Sequence, residues 1–356
     1  MENEISKSEE LPQILRGRET NIEILRIISM ILIIAHHLSV HGGYNLIGFD
    51  NISEFNQALI NLFAIGGKLG VNIFVIISGY FLIKSNLKLR KVIKLVAEIF
   101  LYSVLIYLII LICKETTFSL SNAKMVFLPI ISESYWFVTA YIIMYLLSPF
   151  INKCLNNITQ TQHLLLIAFL LFLQTILPYL FSNYLGNVGW FITLYAIGAF
   201  IKNYSFNLYN NTLLFAAISI VLFILIALFK IFLNINLSEI TNPICTICAI
   251  TTFVTFRSLN IKTNKIINTI ASTTFGIYLI HDNYFLRPIL WTKLLKCPQY
   301  ATTNDFWWFS ILVIMAIFII CVIVDLCRIY LLEKPFMFGV DKLLNVIKNK
   351  LAKREK

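Results

Sequence analysis

The sequence predicts an all-α integral membrane protein, a polytopic bundle of about ten transmembrane helices with both termini in the cytoplasm. Three observations carry that prediction. Of 356 residues, 58% are hydrophobic and the mean hydropathy is +0.80. A soluble chain of this length could not bury so much apolar surface, so the bilayer must solvate most of it. Only 13% of the residues are charged, and they sit in short loops and tails between apolar spans. With the N-terminus inside, 21 of the 29 lysines and arginines fall on inside segments and 5 on outside loops; Arg26, Lys68 and Lys230 lie within spans. Topology selection produces that asymmetry. The same distribution argues against a nucleic-acid partner, despite a net charge of +11.

The elements follow in order. Residues 1–21 are a polar cytoplasmic tail that mixes Glu2, Glu4, Glu9 and Glu10 with Lys7 and Arg16. No small-residue cleavage site follows the first apolar run, so no cleavable signal peptide is expected. The membrane domain covers 22–330 and opens with a span at 22–41. The second span, 57–83, holds Gly66, Gly67, Lys68 and Gly70. Its first part reads as re-entrant or broken, with 70–83 as the firm helix. A basic connector, 84–94, comes next. Further spans fall at 95–113, 135–152, 163–181, 188–201, 212–233, 243–259, 267–286 and 306–330, and 331–356 is a basic cytoplasmic tail. Seven cysteines lie mostly inside these spans. Cys245 and Cys248 form a CxxC without a second pair, which suits core packing rather than zinc or redox chemistry.

The first span carries the most chemistry. His37 lies eleven positions after Arg26. Eleven steps of about 100° place the two on nearly one helix face, about 16 Å apart along the axis. Charged and titratable groups are expensive in hydrocarbon and face a bundle interior or a water-filled cavity. Two readings stay open. One is a polar track running part-way across the bilayer. The other has Arg26 snorkelling to the headgroups and the histidines interfacial.

Histidine is scarce, with five in the chain at 36, 37, 41, 163 and 281. His37 and His41 share one face of the first helix as an i, i+4 pair. His281 closes a run from Phe275 and is followed by Asp282. Histidine is the usual general base near neutral pH. Three histidines can also hold a metal, but carboxylate and supporting groups are sparse in the sequence, and no metal is expected. Asn72, Ser78 and Gly79 interrupt an apolar run, which ordinary packing through small residues also explains. Ser78 and Tyr278 are hydroxyl-bearing candidates for a covalent relay, with packing the simpler account of each. Tyr135 and Trp136 suit an aromatic belt. Arg90, Lys91 and Lys94 would attract anionic lipid whatever the function, and would equally steer a polyanion to the inner face.

Four segments occur in a fixed order: Leu25, Arg26 and His37; Gly70 to Phe74 with Ser78, Gly79 and Tyr80; Tyr135, Trp136 and Phe137; and Phe275, Gly276, Ile277, Tyr278, Leu279, Ile280 and His281. Together, over about 22–336, they resemble the membrane acyltransferase-3 family, which O-acylates cell-surface carbohydrates. The resemblance implies a multi-pass O-acyltransferase of the cell membrane, O-acetyl in the first instance. Its donor would be acetyl-CoA or another acyl-CoA, its acceptor a hydroxyl of an envelope or exported polysaccharide or a lipid-linked precursor, and its surroundings membrane lipid. It also implies Arg26 and His37 as the essential pair; Arg26, Arg90, Lys91 and Lys94 are expected towards the donor by their charge, and His41, Asn72, Ser78, Tyr278 and His281 are expected in support. Two departures stand out. Asn72 occupies a position that is often Asp in the family, and the arginine-rich cytoplasmic motif appears as Arg90, Lys91 and Lys94, whose lysines lack the bidentate geometry of arginine. A polysaccharide exporter or flippase, or a non-catalytic sensor or assembly partner, fits the same composition.

Overall fold

The computed structural model describes residues 18–132, 134–178, 186–204 and 211–354, and the side chains of these as far as 346. The first seventeen residues of the expected tail at 1–21 and the far end of the 163–181 span lie outside the described residues.

All regular structure among the described residues is helical. We number the principal helices α1 (Thr20–His41), α2 (Glu54–Leu82), α3 (Leu89–Ile112), α4 (Leu120–Phe127), α5 (Trp136–Asn156), α6 (Gln160–Leu171), α7 (Gly186–Asn203), α8 (Thr212–Phe232), α9 (Pro243–Ser258), α10 (Lys265–Ala271), α11 (Thr274–His281), α12 (Phe306–Arg328) and α13 (Lys334–Arg354). Among the described residues, six helical stretches are long and apolar enough to cross a membrane: Thr20–Leu46, Glu54–Leu82, Leu89–Ile112, Trp136–Asn156, Thr212–Phe232 and Phe306–Val346. The described parts of the other four expected spans are helical too, but shorter or broken. Asn242 caps α9 and Pro243 opens it, which fixes where that sixteen-residue helix starts. The 267–286 span divides into α10 and α11. There Ser272 Oγ donates to Thr269 O, Thr273 Oγ1 to Ile270 O and Thr274 Oγ1 to Ala271 O, at 2.6–2.9 Å. Such local bonds offer the backbone an alternative to the helical ladder.

α2 departs from the sequence expectation. It is one continuous helix from Glu54 to Leu82, with no re-entrant part. Its glycines mark a helix crossing, not a chain break. A Cβ added at Gly66 would lie 2.7 Å from the Leu32 carbonyl oxygen, and one at Gly70 2.7 Å from that of Ser29. Small residues at a crossing let two membrane helices approach at backbone distance, where dispersion drives association. α1 accordingly packs most extensively against α2, and α2 in turn against α7. α8 is the opposite case: Ile226 is its only buried residue, and hydrocarbon solvates the face that does not pack on α9.

The expected tail beyond 330 is helical through Arg354. α12 passes through a π-turn at Ile329–Glu333 into α13. This turn carries Glu333 towards a buried cluster. Arg328, 6% exposed, lies 2.6 Å from Asp325 Oδ1, 2.6 Å from Glu333 Oε2 and 3.0 Å from Glu98 Oε1. Lys94 adds a 2.6 Å contact to Glu333, and the Tyr102 hydroxyl donates to Asp325 at 2.7 Å. α11 rests directly on this cluster, because a Cβ at Gly276 would fall 2.1 Å from Asp325 Oδ1.

Candidate active site

A cavity of about 250 Å³ lies between α1, α2, α5 and the α10–α11 break. Arg26, His36 and His37 from α1 all line it, so the expected shared face of Arg26 and His37 is realised. Arg18 and Arg26 stand at the end near the start of α1. Met30, Ile33, Val71, Phe74 and Phe275 make apolar walls, and His36, His37, Lys68 and Tyr278 line its polar remainder. Glu23 anchors the first end: its Oε2 lies 3.3 Å from Arg18 Nη1 and 3.9 Å from Arg26 Nε. Arg18 also donates to Asn268 O at 3.0 Å, and the Arg26 guanidinium sits 5.9 Å from the Phe81 ring centroid. Arg18, Arg26 and Lys91 are close enough to feel one another's charge, which makes this end markedly cationic.

The hydrogen bonds at the histidine end assign a tautomer. His281 Nδ1 is 2.6 Å from Ile277 O, which can only accept, so Nδ1 carries the proton. In neutral His281, Nε2 is then an acceptor. His37 Nδ1, 2.9 Å away, must donate to it. His37 Nε2 is left with its lone pair, the state a general base needs. Asp282 Oδ1 lies 3.8 Å from His37 Nε2, placed to stabilise the imidazolium once it forms. Arg287 Nη1 holds the same carboxylate oxygen at 3.1 Å.

The remaining expected residues divide. His41 joins the cluster, its Nε2 3.8 Å from Asp282 Oδ1. Tyr278 lines the cavity with its ring centroid 6.4 Å from that of His37. Ser78 also lines it, but its hydroxyl donates back to Phe74 O at 2.9 Å. Asn72 is fully buried elsewhere. It donates to Ile240 O at 2.9 Å and accepts from Trp190 Nε1 at 3.0 Å, joining α2 to α7. Arg90 and Lys94 are engaged within the protein: Arg90 makes a two-pronged bond to Asp341 of α13 at 2.6 and 3.1 Å, and Lys94 pairs with Glu333. His163 is buried against Ala196 O at 3.0 Å, far from the other histidines in the packing of α6 on α7.

Two readings of the aromatic residues change. Tyr135 is 1% exposed, not interfacial; its hydroxyl donates to Leu279 O and accepts from Asn283, fixing α11. Trp136 lines the cavity and carries the Lys68 ammonium 4.5 Å above its ring. His36 also faces the cavity, with Nδ1 2.7 Å from Ala64 O. Sequence reasoning missed Arg18 and Lys68. The signal for Lys68 was present: a lone cation within an apolar span is functional by default.

Fold and site together define a multi-pass membrane protein that encloses a reaction-sized cavity with a poised histidine inside it. The family follows from comparison: a model described as an acyltransferase domain, of the acyltransferase-3 type, matches residues 19–326, and the chain belongs to that family. No curated protein and no solved structure matches the chain.

Proposed function

We propose that this acyltransferase moves an acyl group, acetyl in the first instance, from cytoplasmic acyl-CoA to a hydroxyl of a cell-envelope or exported polysaccharide, or of its lipid-linked precursor. The observation that carries this reading is the cavity itself, cationic at one end and holding an unprotonated His37 Nε2 towards the other. In this reading the phosphates of coenzyme A meet Arg18 and Arg26, and the thioester arm follows the apolar walls inward. His37 Nε2 takes the proton of the acceptor hydroxyl as its oxygen attacks the thioester carbonyl. The tetrahedral oxyanion forms within reach of the Lys68 cation, whose charge it needs. The C–S bond then breaks, and the thiolate leaves with the proton from His37. NMR or mass analysis of surface-glycan acylation with and without the protein tests the activity; glycan carried across the membrane unmodified would favour an exporter instead.

The orientation belongs to the same proposal: about ten spans in the cell membrane, both termini cytoplasmic, the Arg26 end of the cavity facing the donor pool. The charge asymmetry of 21 to 5 supports it. Reporter fusions at both termini are expected to read cytoplasmic. A C-terminus found outside would remove one of the shorter helices, α7 first, from the set of spans.

Arg26→Lys separates recognition from anchoring. A guanidinium makes paired hydrogen bonds to phosphate that an ammonium cannot. Hydrogen bonds to charged groups are worth about 1.5–3 kcal/mol, so the substitution is expected to weaken acyl-CoA binding by roughly tenfold or more although it keeps the charge. Wild-type binding and turnover for Arg26→Lys in nanodiscs would leave Arg26 as a membrane anchor.

A further inference from the structure

We propose that His37, His41 and Asp282 form a binding site for a divalent transition metal, Zn2+ by ligand type, and that filling it stops acyl transfer. His37 and His41 are one turn apart on α1, their ring centroids 5.4 Å apart. Asp282, 4% exposed, follows the last residue of α11 and reaches both. Its Oδ1 is 3.8 Å from each histidine Nε2, and the three donor atoms all lie within 4.8 Å of one another. A tetrahedral zinc with bonds of about 2.0–2.2 Å holds its ligands roughly 3.3–3.5 Å apart. Side-chain rotations that bring the atoms in by about an ångström therefore complete three sides of such a site. The fourth position stays open.

The supporting contacts that the sequence did not show are in place. Metal-bound imidazoles donate their other N–H to a fixed acceptor. His37 does so, from Nδ1 to His281 Nε2 at 2.9 Å, and His281 is itself fixed by Ile277 O. Asp282 is held by Arg287 at 3.1 Å. Two imidazoles and one carboxylate suit zinc, nickel or copper and disfavour magnesium or calcium, which take mostly oxygen. Because Arg287 already offsets the Asp282 charge, the site binds more weakly than an all-protein structural zinc centre. The His41 side chain is 27% exposed in the last turn of α1, which gives the ion a route in. The inhibitory consequence rests on the reading of His37 as base: an ion on Nε2 takes the lone pair that would accept the hydroxyl proton. The metal is thus a regulator of the site and takes no part in the transfer step.

The test uses the full-length protein in nanodiscs, titrated with Co2+ and then Zn2+. One equivalent of Co2+ is expected to give the visible absorption of a tetrahedral complex, and Zn2+ is expected to displace it. His41→Ala and Asp282→Asn are each expected to weaken binding by about tenfold or more, in line with losses at metal sites. X-ray absorption of the wild-type Zn2+ complex is expected to show two imidazole ligands. A complex without imidazole, or equal affinity in both variants, overturns the site, and the wild-type spectrum decides even where a variant does not fold. In the activity arm, Zn2+ is expected to stop turnover and a chelator to restore it; full turnover by the Zn2+-saturated protein overturns the inhibitory role. Absence of any acyl transfer by the protein would overturn the proposed function alone, because cobalt absorption and the imidazole count need no activity.

Discussion

Replacing His37 with alanine is expected to lower acyl transfer by about 100-fold or more, the range for loss of a general base, while the protein still inserts and folds. That loss is about 2.7 kcal/mol of transition-state stabilisation. The expectation rests on the tautomer chain from Ile277 O through His281 to His37, which leaves Nε2 unprotonated. Two controls separate the base from its surroundings. His281→Leu removes the acceptor for His37 Nδ1 and frees the ring to adopt the wrong tautomer, so activity should fall, though less than in His37→Ala. His36→Ala should be milder still. His36 faces the cavity, but its Nδ1 is already committed at 2.7 Å to Ala64 O. The readout is glycan acylation by equal amounts of membrane-inserted protein. Near wild-type acylation by His37→Ala would end the assignment of the base, and equal losses in the two alanine variants would move it to His36.

The same residues separate what was legible in the sequence from what was not. The pairing of Arg26 with His37 was legible because helical period alone sets it, and both line one cavity. The acyltransferase family was legible from four short runs in a fixed order, which the family match over 19–326 bears out. Hydrophobic runs located the long helices, but they could not distinguish a glycine that breaks a helix from one that admits a neighbour. Gly66 and Gly70 read as a break, and only the position of the Leu32 and Ser29 carbonyls shows that they make a crossing. Charge is hard to read for a related reason. Arg90 and Lys94 sit in a basic run, so they look available to a polyanion. Their partners lie more than two hundred residues downstream, Asp341 on α13 and Glu333 in the turn before it, in a stretch expected to be a tail. His281, 244 residues from His37, was a candidate without a partner until the fold brought the rings together.

Replacing Arg328 with alanine is expected to have the largest effect on stability. Three carboxylates, Glu98, Asp325 and Glu333, converge on this one guanidinium inside the bundle, where its residue is 6% exposed. Lys94 pairs with Glu333 at 2.6 Å, and no ion pair among the described residues links it to Asp325 or Glu98, so it compensates those two only at longer range. Breaking a buried ion pair by removing one partner costs about 3–5 kcal/mol, because the other charge is left without compensation. Three carboxylates on one arginine put the expectation at the upper end of that range. Arg328→Lys should fall between wild type and alanine, since an ammonium keeps the charge but cannot hold several carboxylates in fork geometry. The sign of the effect has its own check. Adding Glu98→Gln to Arg328→Ala removes one uncompensated carboxylate and should recover part of the loss, whereas Glu98→Gln alone should destabilise; a double-mutant cycle measures the difference. Activity should fall with stability even in protein that survives purification. Gly276 of α11 packs on the Asp325 carboxylate, and α11 carries Tyr278 and His281 to the cavity and to His37. Thermal unfolding in detergent, read beside turnover, is the measurement. An Arg328→Ala protein that melts with the wild type would mean that water reaches the three carboxylates, and the cluster would then no longer account for the position of α11.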